Sequence, residues 1–163
     1  MAYIRRDYYT GLYGEMPEQT FNNLSWEAER YVNLHTTGID NVKKLKLYFP
    51  VDEEDAELVK RCVAKLVNFL YQVQTAEIEA LTVAGYDATE QGLRGKVITS
   101  VSAGNESITY SAADKSVTSI HAAVKDKATR DRMAAEIVWE YLAGVTDANG
   151  VNLLYMGRYP RVR

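Results

Sequence analysis

The run Asp52-Glu-Glu-Asp-Ala-Glu-Leu58-Val-Lys-Arg-Cys62-Val-Ala-Lys-Leu66-Val-Asn-Phe-Leu70-Tyr-Gln-Val73 decides the fold. Leu58 or Val59, Cys62 or Val63, Leu66, Val67, Leu70 and Val73 recur three and four residues apart, which on a helix makes one apolar stripe. Asp52 suits the N-cap, because its carboxylate can accept backbone N–H groups that a first turn leaves open. The acidic residues behind it sit at the positive end of the helix dipole. The spacing predicts a helix from Asp52 to about Leu81, broken by Thr82 to Gly85. A stripe of this length needs other apolar faces against it, so the fold class reads as mainly α, a small helical bundle.

Working outward toward the N-terminus, Pro17 suits the first turn of a helix. Phe21, Leu24, Ala28, Tyr31, Val32 and His35 follow at helical spacing, and Thr36-Thr-Gly38 ends the pattern. Ile39 to Phe49 is a basic segment with Val42, Leu45 and Tyr48 three apart, a brief helix closed by Pro50. Residues 1 to 15 carry two glycines, Gly11 and Gly14, and read as turns. Toward the C-terminus, Thr129 to about Ala143 predicts a last helix with Met133, Ile137, Val138, Tyr141 and Leu142 facing inward and Gly144 as its stop. Of all these positions, Leu66, Leu70, Ile137 and Phe21 are expected among the most buried. Asp147 to Gly150 is a turn. Leu153 to Arg163 is an apolar, basic tail too short to form a core of its own; deleting it is expected to leave a folded subunit, because the helical stripes end before it.

Between the helices, a loop from Gly85 leads to Lys96. From there Val97, Thr99 and Val101 alternate with Ile98, Ser100 and Ser102, the period-2 pattern of a strand. Gly104-Asn105 tolerates positive φ, and Ser107 to Tyr110 resumes the alternation. The expectation is an inserted β-hairpin at about residues 96–111 that pairs Val101 with Ile108 and Thr99 with Tyr110 on one face, a docking element. For Ala112 to Val124 the sequence leaves helix and loop both open.

At 163 residues the chain predicts a single domain, able to bury roughly two thirds of its unfolded surface. Its 47% hydrophobic and 25% charged residues are ordinary for a globular protein. A net charge of −3 speaks against a dedicated nucleic-acid binder, which needs clustered Lys and Arg. One cysteine, Cys62, leaves no intrachain disulfide and suits a reducing cytoplasm. No signal-peptide pattern and no uncharged apolar run of bilayer length occurs, so no membrane association is expected.

Chemistry-bearing patterns are scarce. His35 and His121, the two histidines, have no carboxylate or cysteine at ligand spacing. Cys62 falls on the stripe of the long helix and reads as an inert core residue, since a catalytic thiol needs an exposed, electropositive setting. Asp52 to Asp55 lie at successive helix positions and do not converge on a metal. Neither a Walker nor a GxGxxG pattern appears. Lys43 to Lys46 and Arg158 to Arg163 are candidates for phosphate contact, but with a net negative chain they read rather as solvated faces or protein–protein salt-bridge rims. No catalytic, cofactor or metal residue is expected, and the chain does not read as an enzyme.

Tyrosine is the unusual entry, twelve against three Phe and two Trp. Its apolar ring and polar tip suit surfaces that are wet in the free subunit and buried after association. Tyr3, Tyr8, Tyr9 and Tyr13 crowd one end. Leu154, Tyr155, Arg158, Tyr159 and Arg161 crowd the other. With Val101, Ile108 and Tyr110 of the hairpin, these are the expected interface residues, carried on extended termini free to reach outward.

Dispersed but ordered positions carry a resemblance. They are Phe21-x-x-Leu24-x-x-x-Ala28-x-x-x-Val32-Asn33 with Thr37-Gly38, then Val59-Lys-Arg-Cys62, then Ser100-x-Ser102-x-Gly104-x-x-Ser107-x-x-Tyr110, and finally Leu153-Leu-Tyr-x-Gly157. Over nearly its full length the chain resembles the small head-tail connector, or head-completion, proteins of long-tailed bacteriophages, particularly those of Gram-positive hosts. Asn33 stands where that family shows an acid, and Val145 to Asn152 is longer than its usual link. The resemblance implies one head-tail connector domain over residues 1–163, assembled as a homo-oligomeric, dodecameric ring. The subunit would be in the host cytoplasm before assembly and at the head-tail junction of the virion, beneath the portal protein, afterwards. The ring would extend the DNA channel, meet DNA only in passage, and receive the next connector, a stopper or the tail. A tail terminator or completion protein, richer in β structure, is the alternative. A helical DNA-binding regulator is the more distant one, and it lacks a helix-turn-helix with a basic recognition helix.

Overall fold

The computed structural model describes residues 2–83, 86–89, 92–95, 120, 123–124 and 126–160. Among them are five helices of at least one turn: α1 (Arg6–Tyr13), α2 (Glu18–Thr36), α3 (Lys44–Leu47), α4 (Glu53–Val83) and α5 (Lys127–Leu142), so the fold is mainly helical as expected. The chain divides into two compact units, Met1–Tyr71 with Asp131–Arg163, and Gln72–Arg130.

The first unit is built on the stripe of α4. Asp52 Oδ1 accepts the N–H groups of Glu54 and Asp55, both at 3.0 Å, which confirms the predicted cap. Val59, Cys62, Val63, Leu66, Val67 and Leu70 are all buried, as are Phe21, Leu24, Ala28 and Val32 of α2. Replacing Leu66 by Ala should lower unfolding stability by about 2–5 kcal/mol, read as a shift in denaturant midpoint. An unshifted midpoint would mean that this face of α4 is not the core.

α5 contributes a different line from the expected one. Ala134, Val138 and Leu142, four residues apart, are buried, while Met133, Ile137 and Tyr141 are half-buried. Ala134 is small enough to let α5 face inward along the i, i+4 row, which turns Ile137 to the edge of the stripe. Asp126 caps α5 through the N–H groups of Ala128 and Thr129, at 3.2 and 2.9 Å. The helix therefore starts two residues before Thr129. Gly144, at φ +90°, ends it in a conformation that a side chain would strain.

Both termini correct the expectation of extended ends. Residues 6–13 form α1 in spite of Gly11, and Gly14 N–H closes it on Thr10 O at 3.1 Å. Ile4, Tyr9 and Met16 around it are core residues, and that burial offsets the cost of a helical glycine. At the other end Val145 and Leu153 are fully buried, so residues 145–160 form a packed strap.

In the second unit, β1 (Tyr86–Thr89) and β2 (Gly92–Gly95) pair antiparallel, Tyr86 with Gly95 and Thr89 with Gly92. This ribbon occupies the segment read as a loop. The hairpin expected at 96–111, with Val101, Ile108 and Tyr110, lies outside the described residues, as does most of 112–124.

Candidate functional site

The N-terminal tyrosines, read as outward contacts, turn mostly onto their own unit. Tyr3 donates its N–H to Glu29 Oε1 and its hydroxyl to Asn33 Oδ1, both at 2.8 Å, and stacks on Phe49. Tyr9 is a core residue, its ring 5.7 Å from that of Phe21 and its hydroxyl 3.4 Å from Asn68 Oδ1. Tyr8 donates to Glu57 Oε1 at 2.6 Å. That same oxygen takes the Arg61 Nε–H at 3.0 Å. Burial, reinforced by Glu57, pushes the Tyr8 hydroxyl up to about 12, so it stays a donor. Tyr13 alone of the four is exposed.

The C-terminal strap is organised by a residue that sequence reading had placed in a solvated patch. Lys44 is 1% exposed. Its Nζ donates to the carbonyl oxygens of Leu153 and Tyr155, each at 2.6 Å, and of Asn152 at 3.1 Å. Three acceptors require three N–H donors, which only the ammonium form has. Burial pulls its pKa down, while Asp147 and Asp40 push it back up. Lys43 and Lys46, its neighbours in the basic run, are exposed as expected. α3 produces the difference, since its one turn carries Lys44 and Leu45 inward together.

Asp147, 4% exposed, is the second organiser. Its Oδ1 accepts the N–H groups of Asn149 and Val151, both at 2.9 Å, and its Oδ2 accepts the Tyr159 hydroxyl at 2.5 Å. Burial together with the Asp147 carboxylate pushes that hydroxyl up to about 12. Tyr159 also stacks on Tyr48 with ring centroids 5.1 Å apart, and its N–H donates to Asp40 Oδ2 at 2.7 Å. This bond holds the Asp40 carboxyl below its usual range. Asp55, read only as a helix-dipole residue, holds the start of the strap: its Oδ2 takes the N–H and the hydroxyl of Thr146, each at 2.9 Å. Gly38 lies so close that a Cβ there would meet Gly157 O at 2.6 Å. Any larger residue at position 38 would push the strap away. Asp147-x-Asn-Gly was legible as a turn. Lys44, Asp55 and Gly38 carried no local sign of their partners.

Part of what the strap leaves outward is apolar. Tyr155 and Met156 are about half exposed, and Ile39, whose N–H donates to Met156 O at 3.0 Å, is 75% exposed beside them. Arg158 is exposed, Leu154 and Tyr159 are half-buried, and Arg161 lies outside the described residues. On the helices, Trp26 is 64% and Trp139 57% exposed. The Cys62 thiol is buried and pushed up to about 12 by that burial, which leaves it without the thiolate that chemistry would need. Among the described residues no helix is long and apolar enough to cross a membrane. Set against protein-family models, curated proteins and solved structures, the chain matches none.

Proposed function

We propose that this protein is a structural subunit of the head-tail junction of a long-tailed bacteriophage. It forms a dodecameric ring beneath the portal, extends the DNA channel and presents the docking surface for the next connector, a stopper or the tail. The observation that carries this reading is the set of large apolar side chains held outward on ordered elements: Trp26, Trp139, Ile39, Tyr155 and Met156. Single exposed apolar residues are common, but tryptophans at more than half exposure and an apolar cluster on a fixed strap are features of surfaces that become covered. A closed ring needs two different faces on each subunit, and Trp26 and Trp139 on helices, with Tyr155 and Met156 on the strap, supply candidates for both. The mainly helical makeup favours a connector over a β-rich tail terminator.

Loss of the gene from a phage that encodes this chain should leave filled or emptied heads and free tails that fail to join, counted by electron microscopy. Normal tailed particles without it would end this reading.

A further inference from the structure

Asn149-Gly150 is the one Asn-Gly pair in the chain. Glycine has no side chain to hinder attack by its backbone nitrogen, which makes Asn-Gly the pair most open to spontaneous deamidation. Both residues are exposed, yet each is engaged. The Gly150 N–H donates to Asp147 O at 2.9 Å, and the Asn149 side-chain amide donates to the Tyr159 hydroxyl at 2.9 Å. The nucleophile is held in the strap's own turn, and the leaving group is tied to Tyr159, whose N–H bond to Asp40 and stacking on Tyr48 hold that end of the strap to α3 and its flanks. We propose that Asn149 is a self-modification site gated by the strap: protected while the strap is docked, converted when it opens, and unable afterwards to restore the docked form.

The chemistry uses only water. Solvent base takes the Gly150 amide proton, and that nitrogen bonds to Asn149 Cγ. The Cγ–Nδ2 bond breaks and the side-chain nitrogen leaves as ammonia. Water then opens the five-membered imide at Cγ, giving aspartate, or at the backbone carbonyl carbon, giving isoaspartate, and the Gly150 nitrogen regains its proton. The sum is one amide plus water to one carboxylate plus ammonium.

Either product damages the docked geometry. A carboxylate at 149 loses the amide donor to Tyr159 and competes with Asp147 Oδ2 for the single proton of that hydroxyl. It also places a second negative charge two residues from buried Asp147. Isoaspartate adds a methylene to the backbone between two residues whose N–H groups both bond to Asp147.

The test incubates the full chain at mildly alkaline pH in three forms: native and folded, Tyr159→Phe and folded, and native in urea. Trypsin releases Met133 to Arg158 as one peptide, and its fragmentation separates Asn149 from Asn152. Conversion at Asn149 should be several-fold faster in urea than in the folded chain, with Tyr159→Phe between them. Equal rates in urea and in the fold, or no conversion in urea, would overturn the gating. Asn149→Asp then tests the consequence directly. Trypsin should cut after Arg158 several-fold faster than in the native chain, because Tyr159 no longer holds that segment. An unchanged cutting rate would overturn the one-way character of the site.

Discussion

Removing residues 153–163 is expected to abolish the folded state. The deletion takes out Leu153, which is fully buried, and the carbonyls of Leu153 and Tyr155, two of the three acceptors of the Lys44 ammonium. Truncating a buried leucine costs about 2–5 kcal/mol. Leaving a buried charge without its partners costs about 3–5 kcal/mol more. A domain with total stability of about 5–15 kcal/mol has little left after both. Far-ultraviolet circular dichroism should show no cooperative thermal transition in the truncated chain. A transition like that of the full chain would mean that the strap is dispensable, as the end of the helical stripes before residue 153 suggests from sequence.

Lys44→Met should have the largest effect of any single substitution among the residues that hold the strap. Methionine fills much of the same volume but provides no donor, so three convergent carbonyls and the Asp147 carboxylate lose their shared cation. The expected loss is about 3–5 kcal/mol, read as a lower urea midpoint with an unchanged slope. Lys44→Arg should not restore it, because a planar guanidinium cannot aim three donors as an ammonium does. Lys46→Met, on an exposed neighbour, should stay within about 0.5 kcal/mol. Equal effects at positions 44 and 46 would show that the lysine cage does not hold the strap.

The contrast between these two lysines marks what a sequence can reveal here. The stripe of α4 was legible because every buried position repeats within a turn or two, and the cap at Asp52 lies within three residues of its partners. The same holds for α2, where Pro17 and Thr36-Thr-Gly38 bracket Phe21, Leu24, Ala28 and Val32. Lys44 has its acceptors 108 to 111 residues away, and they are backbone carbonyls, which every residue possesses. Asp55 and Thr146 are 91 residues apart. No local pattern announces such pairs. α1 was hidden for another reason: Gly11 and Gly14 are turn residues by propensity, and the burial of Tyr9 and Met16 overrides that preference.

The candidate site shows the same division. The clustering of tyrosines at the two ends was visible, but which way each ring turns depends on partners elsewhere in the chain. Tyr9 is a core residue because Phe21 and Asn68 surround it. Tyr155 faces outward because its carbonyl is the part held by Lys44. Trp26 and Trp139 are not legible as surface anchors because each falls between the apolar positions of its helix and reads as an irregularity. Their exposure is legible only once the buried lines of α2 and α5 are known.

The proposal of a ring subunit is tested most directly by native mass spectrometry of the purified full chain, alone and mixed with the phage portal protein that the proposal makes its neighbour. The expected result is a closed ring of identical subunits that binds the portal ring as one complex and is weakened by Trp26→Ser or Tyr155→Ser. A chain that stays monomeric at every concentration and shows no complex with the portal would contradict it.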